Sequence, residues 1–151
     1  MKMKAIVHTK YGSPDVLQLK EAEKPTPTDN QVLVKVHASS INKADFYFLR
    51  GPFVARLMGI GLLKPKNKML GADIAGRVEA VGRNVKRFQP GDEVFGWCGR
   101  GGFAEYVCAR EDALVVKPAN VTFEEAAAVP VAAITALQGL GKGRFSRVKR
   151  S

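Results

Sequence analysis

Ile74-Ala-Gly-Arg-Val-Glu-Ala-Val81, closed by Gly82 and followed by Gln89-Pro-Gly-Asp92 and Glu93-Val-Phe-Gly96, is the stretch on which the fold turns. Apolar or small residues alternate with Arg77 and Glu79, the period of a strand with one buried face. Gly71, Gly76 and Gly82 punctuate it, and Pro90-Gly91 makes a turn into a second strand. Upstream, residues 31–38 read as a strand, and residues 3–9 and 16–23 as two more around the turn Tyr11-Gly-Ser-Pro14. Downstream, residues 103–109 and 114–117 continue the pattern. Short runs at this spacing predict a mainly antiparallel barrel or sandwich. Two helical signals interrupt it. Residues 42–50 carry Asn42 as N-cap and Asp45 at the third helical position. Thr122-Phe-Glu-Glu125 is a capping-box pattern before an alanine-rich helix running to about Leu140, which Pro130 should kink or divide. Residues 51–68 form a loop long enough to raise a functional question.

Composition bounds the class. A chain of 151 residues, 46% hydrophobic and 25% charged, suits one ordinary globular domain and excludes a collagen-like or disordered one. No apolar run approaches a membrane span of about 18 residues, and the opening is too short for a signal peptide, so a cytoplasmic protein without membrane partners is expected. The net charge of +10 suggests nucleic acid until it is mapped. Residues 141–151 hold five bases and no acid, leaving 19 bases against 14 acids elsewhere. No nucleic-acid reading motif accompanies them. Gly139-Leu-Gly141-Lys-Gly143 is not a dinucleotide fingerprint, since its spacing is wrong and it follows a helix. Cys98 and Cys108 read as reduced structural thiols, His8 and His37 as strand residues, and Ser39 and Ser40 as ordinary strand-end serines.

The motifs carry a resemblance. Met3-Lys-Ala-Ile-Val with Gly12-x-Pro14-x-Val-Leu17 opens the set, followed by Asn42-x-x-Asp45-x-Tyr47 and Gly71-x-Asp-x-Ala-Gly76-x-Val-x-x-Val-Gly82. Phe88-x-Pro-Gly-Asp-x-Val-Phe95, Gly101-Gly-x-Ala-Glu-Tyr-Val107 and Glu124-Glu-Ala-Ala-Ala-Val-Pro130 with Thr135-Ala-Leu complete it. In this order the chain resembles the N-terminal, GroES-like half of medium-chain dehydrogenase/reductases, most closely the zinc-independent quinone oxidoreductase type. The resemblance implies a partly open GroES-like β-barrel over residues 1–121 with short helices, and an exit helix over 122–140 toward an absent Rossmann domain. It implies NADPH or NADH as cofactor in the intact enzyme. Asn42, Asp45 and Tyr47 would be catalytic, Thr135 and Asn42 would face the nicotinamide, and Phe53 would wall the substrate side.

Zinc-dependent relatives hold their metal with a Cys, a His, often in Gly-His-Glu, and usually a second Cys. The matching positions here are Asn42, Ala72 and about Val131, with Asp73 for the Glu, so no zinc is expected. Without a Lewis acid, hydride transfer favours acceptors that are already electrophilic, which points to quinones and conjugated enones.

The tail 141–151 matches no family pattern. Phe145–Ser151 can be encoded TTC AGC CGG GTC AAA AGG TCC, and with a following TGA the third-base frame reads Gln-Pro-Gly-Gln-Lys-Val-Leu, a segment common in relatives. The expectation is a frameshifted tail, a chain inactive alone for want of its dinucleotide-binding domain, and self-association through the uncovered exit helix. Two alternatives are a non-enzymatic GroES-like binding module, with 51–68 as its partner loop, and a degraded gene product with no function.

Overall fold

The computed structural model describes residues 1–53 and 60–142. Part of the loop read at 51–68 and the tail from residue 143 lie outside the described residues. The elements run β1 (Lys2–Val7), β2 (Gln18–Glu23), β3 (Gln31–Ser40), α1 (Lys43–Arg50), β4 (Asp73–Val81), β5 (Glu93–Trp97), β6 (Tyr106–Arg110), β7 (Leu114–Val116), α2 (Phe123–Ala127) and α3 (Pro130–Lys142).

All strand pairs are antiparallel. β1 and β2 form one sheet, and the other has the order β6-β3-β4-β5-β7. The mainly β, partly open architecture is as expected, built as two open sheets. Residues 103–105 join them. Ile6 N–H donates to the Phe103 carbonyl at 2.8 Å, Glu105 N–H to the Lys4 carbonyl at 3.0 Å, and Val36 N–H to the Glu105 carbonyl at 2.9 Å. The strand expected from Phe103 therefore becomes regular only at Tyr106, because its first residues divide their bonds between two sheets.

β4 lies at the centre and explains why its alternation fades. Ile74, Val78, Val32, Val34, Val94 and Leu114 share one buried cluster. Ala75 points the other way and packs with Ala126 and Ala127 of α2. Residues 73–76 are thus buried on both faces, and strict alternation begins only at Arg77. Gly76 is required by close approach, since a Cβ there would run into the Lys35 carbonyl oxygen.

The capping box before α2 forms as read. Glu125 N–H donates to Thr122 Oγ1 at 3.1 Å, and Thr122 N–H to Glu125 Oε2 at 2.9 Å. Pro130 divides the helix rather than kinking it. Its fixed φ and missing N–H suit a first helical position, so α3 starts there. α3 leaves Ile134, Leu137 and Leu140 exposed. Among the described residues, no helix is long and apolar enough to cross a membrane.

Candidate functional site

β3, α1, β4 and α3 bring their ends together around one carboxylate. Asp73, the first residue of β4, is 0% exposed. Ser40, ending β3, donates through Oγ to Asp73 Oδ2 at 3.1 Å, and Asn42, preceding α1, donates through Nδ2 to the same oxygen at 3.1 Å. Val131 N–H, in the first turn of α3, donates to both carboxylate oxygens at 3.2 Å. Pro130 has no N–H, so Val131 is the donor the helix start can offer, and a carboxylate suits the positive end of the helix dipole.

Asp45 forms a second junction beside the first. It is 7% exposed, and its Oδ2 accepts from the Asn42 backbone N–H at 2.8 Å, the carboxylate half of a capping box. Its Oδ1 accepts from Gly71 N–H at 3.0 Å. Gly71 has φ +87°, a left-handed conformation suited to glycine, and a Cβ there would meet the Phe103 ring at 2.6 Å. Cys98 closes the cluster, its Sγ donating to the Gly71 carbonyl at 3.5 Å and its N–H to the Ala72 carbonyl at 2.7 Å. Burial pushes the Cys98 thiol up to about 12, with the Asp73 and Asp45 carboxylates adding to the shift. It is not a poised nucleophile.

The structure joins Asn42 and Asp45 but sets Tyr47 apart. Two residues beyond Asp45 is about 200° around a helix, so Tyr47 faces the opposite side of α1. There it is half exposed, meets Phe48 edge-on at 5.9 Å and lines a groove with Lys43, Ala44, Phe46, Arg50 and Pro52. Thr135 lies one turn beyond Val131, on the same side of α3, and is exposed. Phe53 is exposed as well. A second apolar groove of about 610 Å³ runs between α3 and the β5–β7 edge, lined by Phe95, Trp97, Val115, Val131 and Ile134 among others. Trp97 is the register partner of Asp73, so this groove adjoins the carboxylate junction.

Comparison with known proteins identifies the family. Residues 28–119 match the alcohol dehydrogenase GroES-like domain. The chain is a member of that family. It is 39% identical over 157 residues to the 2-methylene-furan-3-one reductase of Solanum lycopersicum, covering 97% of this chain and 39% of that protein. It is also 39% identical over 140 residues to the quinone oxidoreductase of Sus scrofa, covering 91% and 40%. The solved quinone oxidoreductase of Coxiella burnetii superposes with a TM-score of 0.83 at 38% identity, over 93% of this chain and 45% of that one. The Escherichia coli quinone oxidoreductase, solved with NADPH, superposes with a TM-score of 0.78 at 29% identity, over 92% and 40%. The chain thus spans about two fifths of the length of these curated relatives.

The three positions that sequence reading matched to zinc ligands, Asn42, Ala72 and about Val131, fall within one neighbourhood beside Asp73. What they offer is an amide at Asn42, no side-chain donor at Ala72 and a backbone N–H at Val131, the last already bound to Asp73. Among the described residues, no three of His, Cys, Asp and Glu group as metal ligands. Sequence reading missed Ser40, read as an ordinary serine, and underrated Asp73, read only as a stand-in for glutamate. The signal available was the Gly71-x-Asp73 spacing at a strand start. The four-way junction itself depends on residues 58 apart.

Proposed function

We propose that this chain is the substrate-side half of an NAD(P)H-dependent oxidoreductase that reduces quinones or conjugated enones without zinc. The observation that carries the reading is what the chain offers where a metal-using relative needs thiolates and an imidazole: the Asn42 amide, Ala72 with no donor, and a Val131 N–H already held by Asp73. With no Lewis acid to polarise a simple carbonyl, the acceptor has to be electrophilic already. The quinone and furanone reductases among the relatives support that class. On this reading residues 1–121 form the substrate domain, 122–140 lead toward a dinucleotide-binding domain, and 141–151 are translated in a shifted frame.

Bound NADPH or NADH supplies the hydride. Asn42 and Thr135 face the nicotinamide from α1 and α3. Tyr47, open to its groove, donates its phenolic hydrogen bond to the oxygen that gains charge, while Asp45 holds the α1 start and Gly71 in register. The isolated chain has little hydride-transfer activity, and Ile134, Leu137 and Leu140 drive its self-association.

The test joins the chain at Leu140 to the remaining sequence of the Sus scrofa enzyme and follows NADPH oxidation with a naphthoquinone, an enone and a saturated ketone. Turnover of the first two without added zinc is expected, with Asn42→Ala lowering kcat/KM about 10²-fold. A fusion that binds NADPH yet reduces only the saturated ketone, or only with zinc, defeats the proposal. Sequencing the gene beyond codon 136 checks the shifted frame: a glycine fingerprint in another frame is expected, and its absence in all frames would refute the frameshift.

A further inference from the structure

Asn42 is surrounded in a way that settles which half of its amide faces inward. Its Nδ2 donates to Asp73 Oδ2 at 3.1 Å and to Ser40 Oγ at 3.3 Å. Ser40 Oγ in turn donates to Asp73 Oδ2, so its lone pairs are free to accept from Asn42. Both acceptors lie on the same side of the amide, so the NH2 is turned inward toward them. The reverse orientation would set the amide oxygen against a fully buried carboxylate and leave that carboxylate short of a donor.

We propose that Asp73 is a positioning residue that locks the Asn42 side chain with its NH2 turned inward, so that its amide oxygen, on the capping-box side of α1, is what it can offer a ligand. The functional weight of this rests on the reading above, in which Asn42 meets the nicotinamide. The consequence refines that reading. With its NH2 turned toward Asp73 and Ser40, Asn42 presents its amide oxygen to a ligand, an acceptor for a ligand N–H such as the nicotinamide carboxamide carries. Oxyanion stabilisation then falls to other donors, of which the Tyr47 hydroxyl is the one named. Asp73 also holds Val131 at the start of α3, so one carboxylate sets Asn42 and the helix bearing Thr135 against each other.

The test reads the Asn42 side chain directly, in the 151-residue chain and without cofactor, so it stands or falls separately from the oxidoreductase assay. In amide-labelled NMR spectra the Asn42 NH2 should exchange with water at least about tenfold more slowly than that of exposed Asn120, as for a group released only by local opening. In Asp73→Ala, which removes the acceptor that both side chains share, the Asn42 side-chain resonances should move toward those of Asn120. Gly71 N–H, bonded to Asp45, should stay in place and report an intact fold. A wild-type Asn42 NH2 exchanging as fast as that of Asn120 overturns the proposal, as does an unmoved one in folded Asp73→Ala. Should Asp73→Ala not fold, the double change Asn42→Asp with Asp73→Asn restores an amide–carboxylate pair. It should be more stable than Asn42→Asp alone, which sets two carboxylates together, by at least about tenfold in the folding constant. No recovery in the double variant is likewise decisive against it.

Discussion

Asp45→Ala separates a residue that holds the site together from one that only decorates it. The carboxylate accepts two backbone N–H bonds, from Asn42 at 2.8 Å and Gly71 at 3.0 Å. Truncation to alanine removes both acceptors. The Asn42 end is half exposed, so water replaces part of that bond and the loss is that of an ordinary cap, about 1 kcal/mol. The Gly71 end is buried under Phe103, and an amide stranded there loses a bond to a charged group, about 1.5–3 kcal/mol. The sum is about 3 kcal/mol, which lowers Tm by roughly 6–12 °C for a chain of this size. Urea unfolding followed by far-UV circular dichroism measures it. Asp45→Asn keeps one acceptor and should lose distinctly less than the alanine variant. A loss below about 0.5 kcal/mol in Asp45→Ala, the scatter of an ordinary surface change, would show that the two backbone bonds do not carry the junction.

Three further outcomes are expected. Lys117, 8% exposed, donates through Nζ to the carbonyls of Val121 at 2.6 Å and Pro118 at 3.1 Å and pairs with Glu93 at 3.1 Å; Lys117→Met should cost about 2–3 kcal/mol in urea unfolding. Glu93→Gln, which leaves the carbonyl bonds intact, should cost less, and the reverse order would contradict the assignment. His8 is buried, and burial lowers its pKa below the ordinary value, with nearby Arg100 acting in the same direction. The unfolded chain therefore takes up the proton first, so stability is full above about pH 6.5 and declines as pH falls toward the native value. The urea midpoint should drop over that window and drop less in His8→Leu; equal slopes would exclude His8 as the cause. Burial also raises the Cys108 thiol, less deeply enclosed than Cys98. A disulfide reagent near neutral pH should label Cys98 more slowly than Cys108 in the native chain and both at once in urea, whereas fast native labelling of Cys98 would contradict its enclosure.

What was legible in the sequence follows the range of the interactions. The cap at Thr122 and Glu125 spans three residues, and the division at Pro130 depends on one, so both could be read locally. The β4 strand was legible from its alternation, although its first four residues are buried on both faces and carry no period. The split of residues 103–105 between two sheets was not legible, because nothing local distinguishes a strand from a bridge between strands. The same holds for the site. Asn42-x-x-Asp45 announced a helix start with a capping box, and the box is there, but the Asn42 amide nitrogen, which a cap does not use, turns to a partner 31 residues away.

That diversion bears on why the site is built from caps and strand ends at all. A buried carboxylate without a cation needs several donors, and regular strand or helix interiors have already spent theirs on one another. Donors remain where elements stop: a serine at the end of β3, an amide before α1, a free N–H in the first turn of α3. Asp73 can be buried only where such ends meet, and those ends are where α1 and α3 are fixed relative to β4. The electrostatic need of one aspartate and the geometric need of residues drawn from separate elements are thus met by the same arrangement. Replacing Asp73 with an apolar residue would remove the demand for donors but also the reason for the four ends to meet, and Asn42 would lose the partner that sets its orientation.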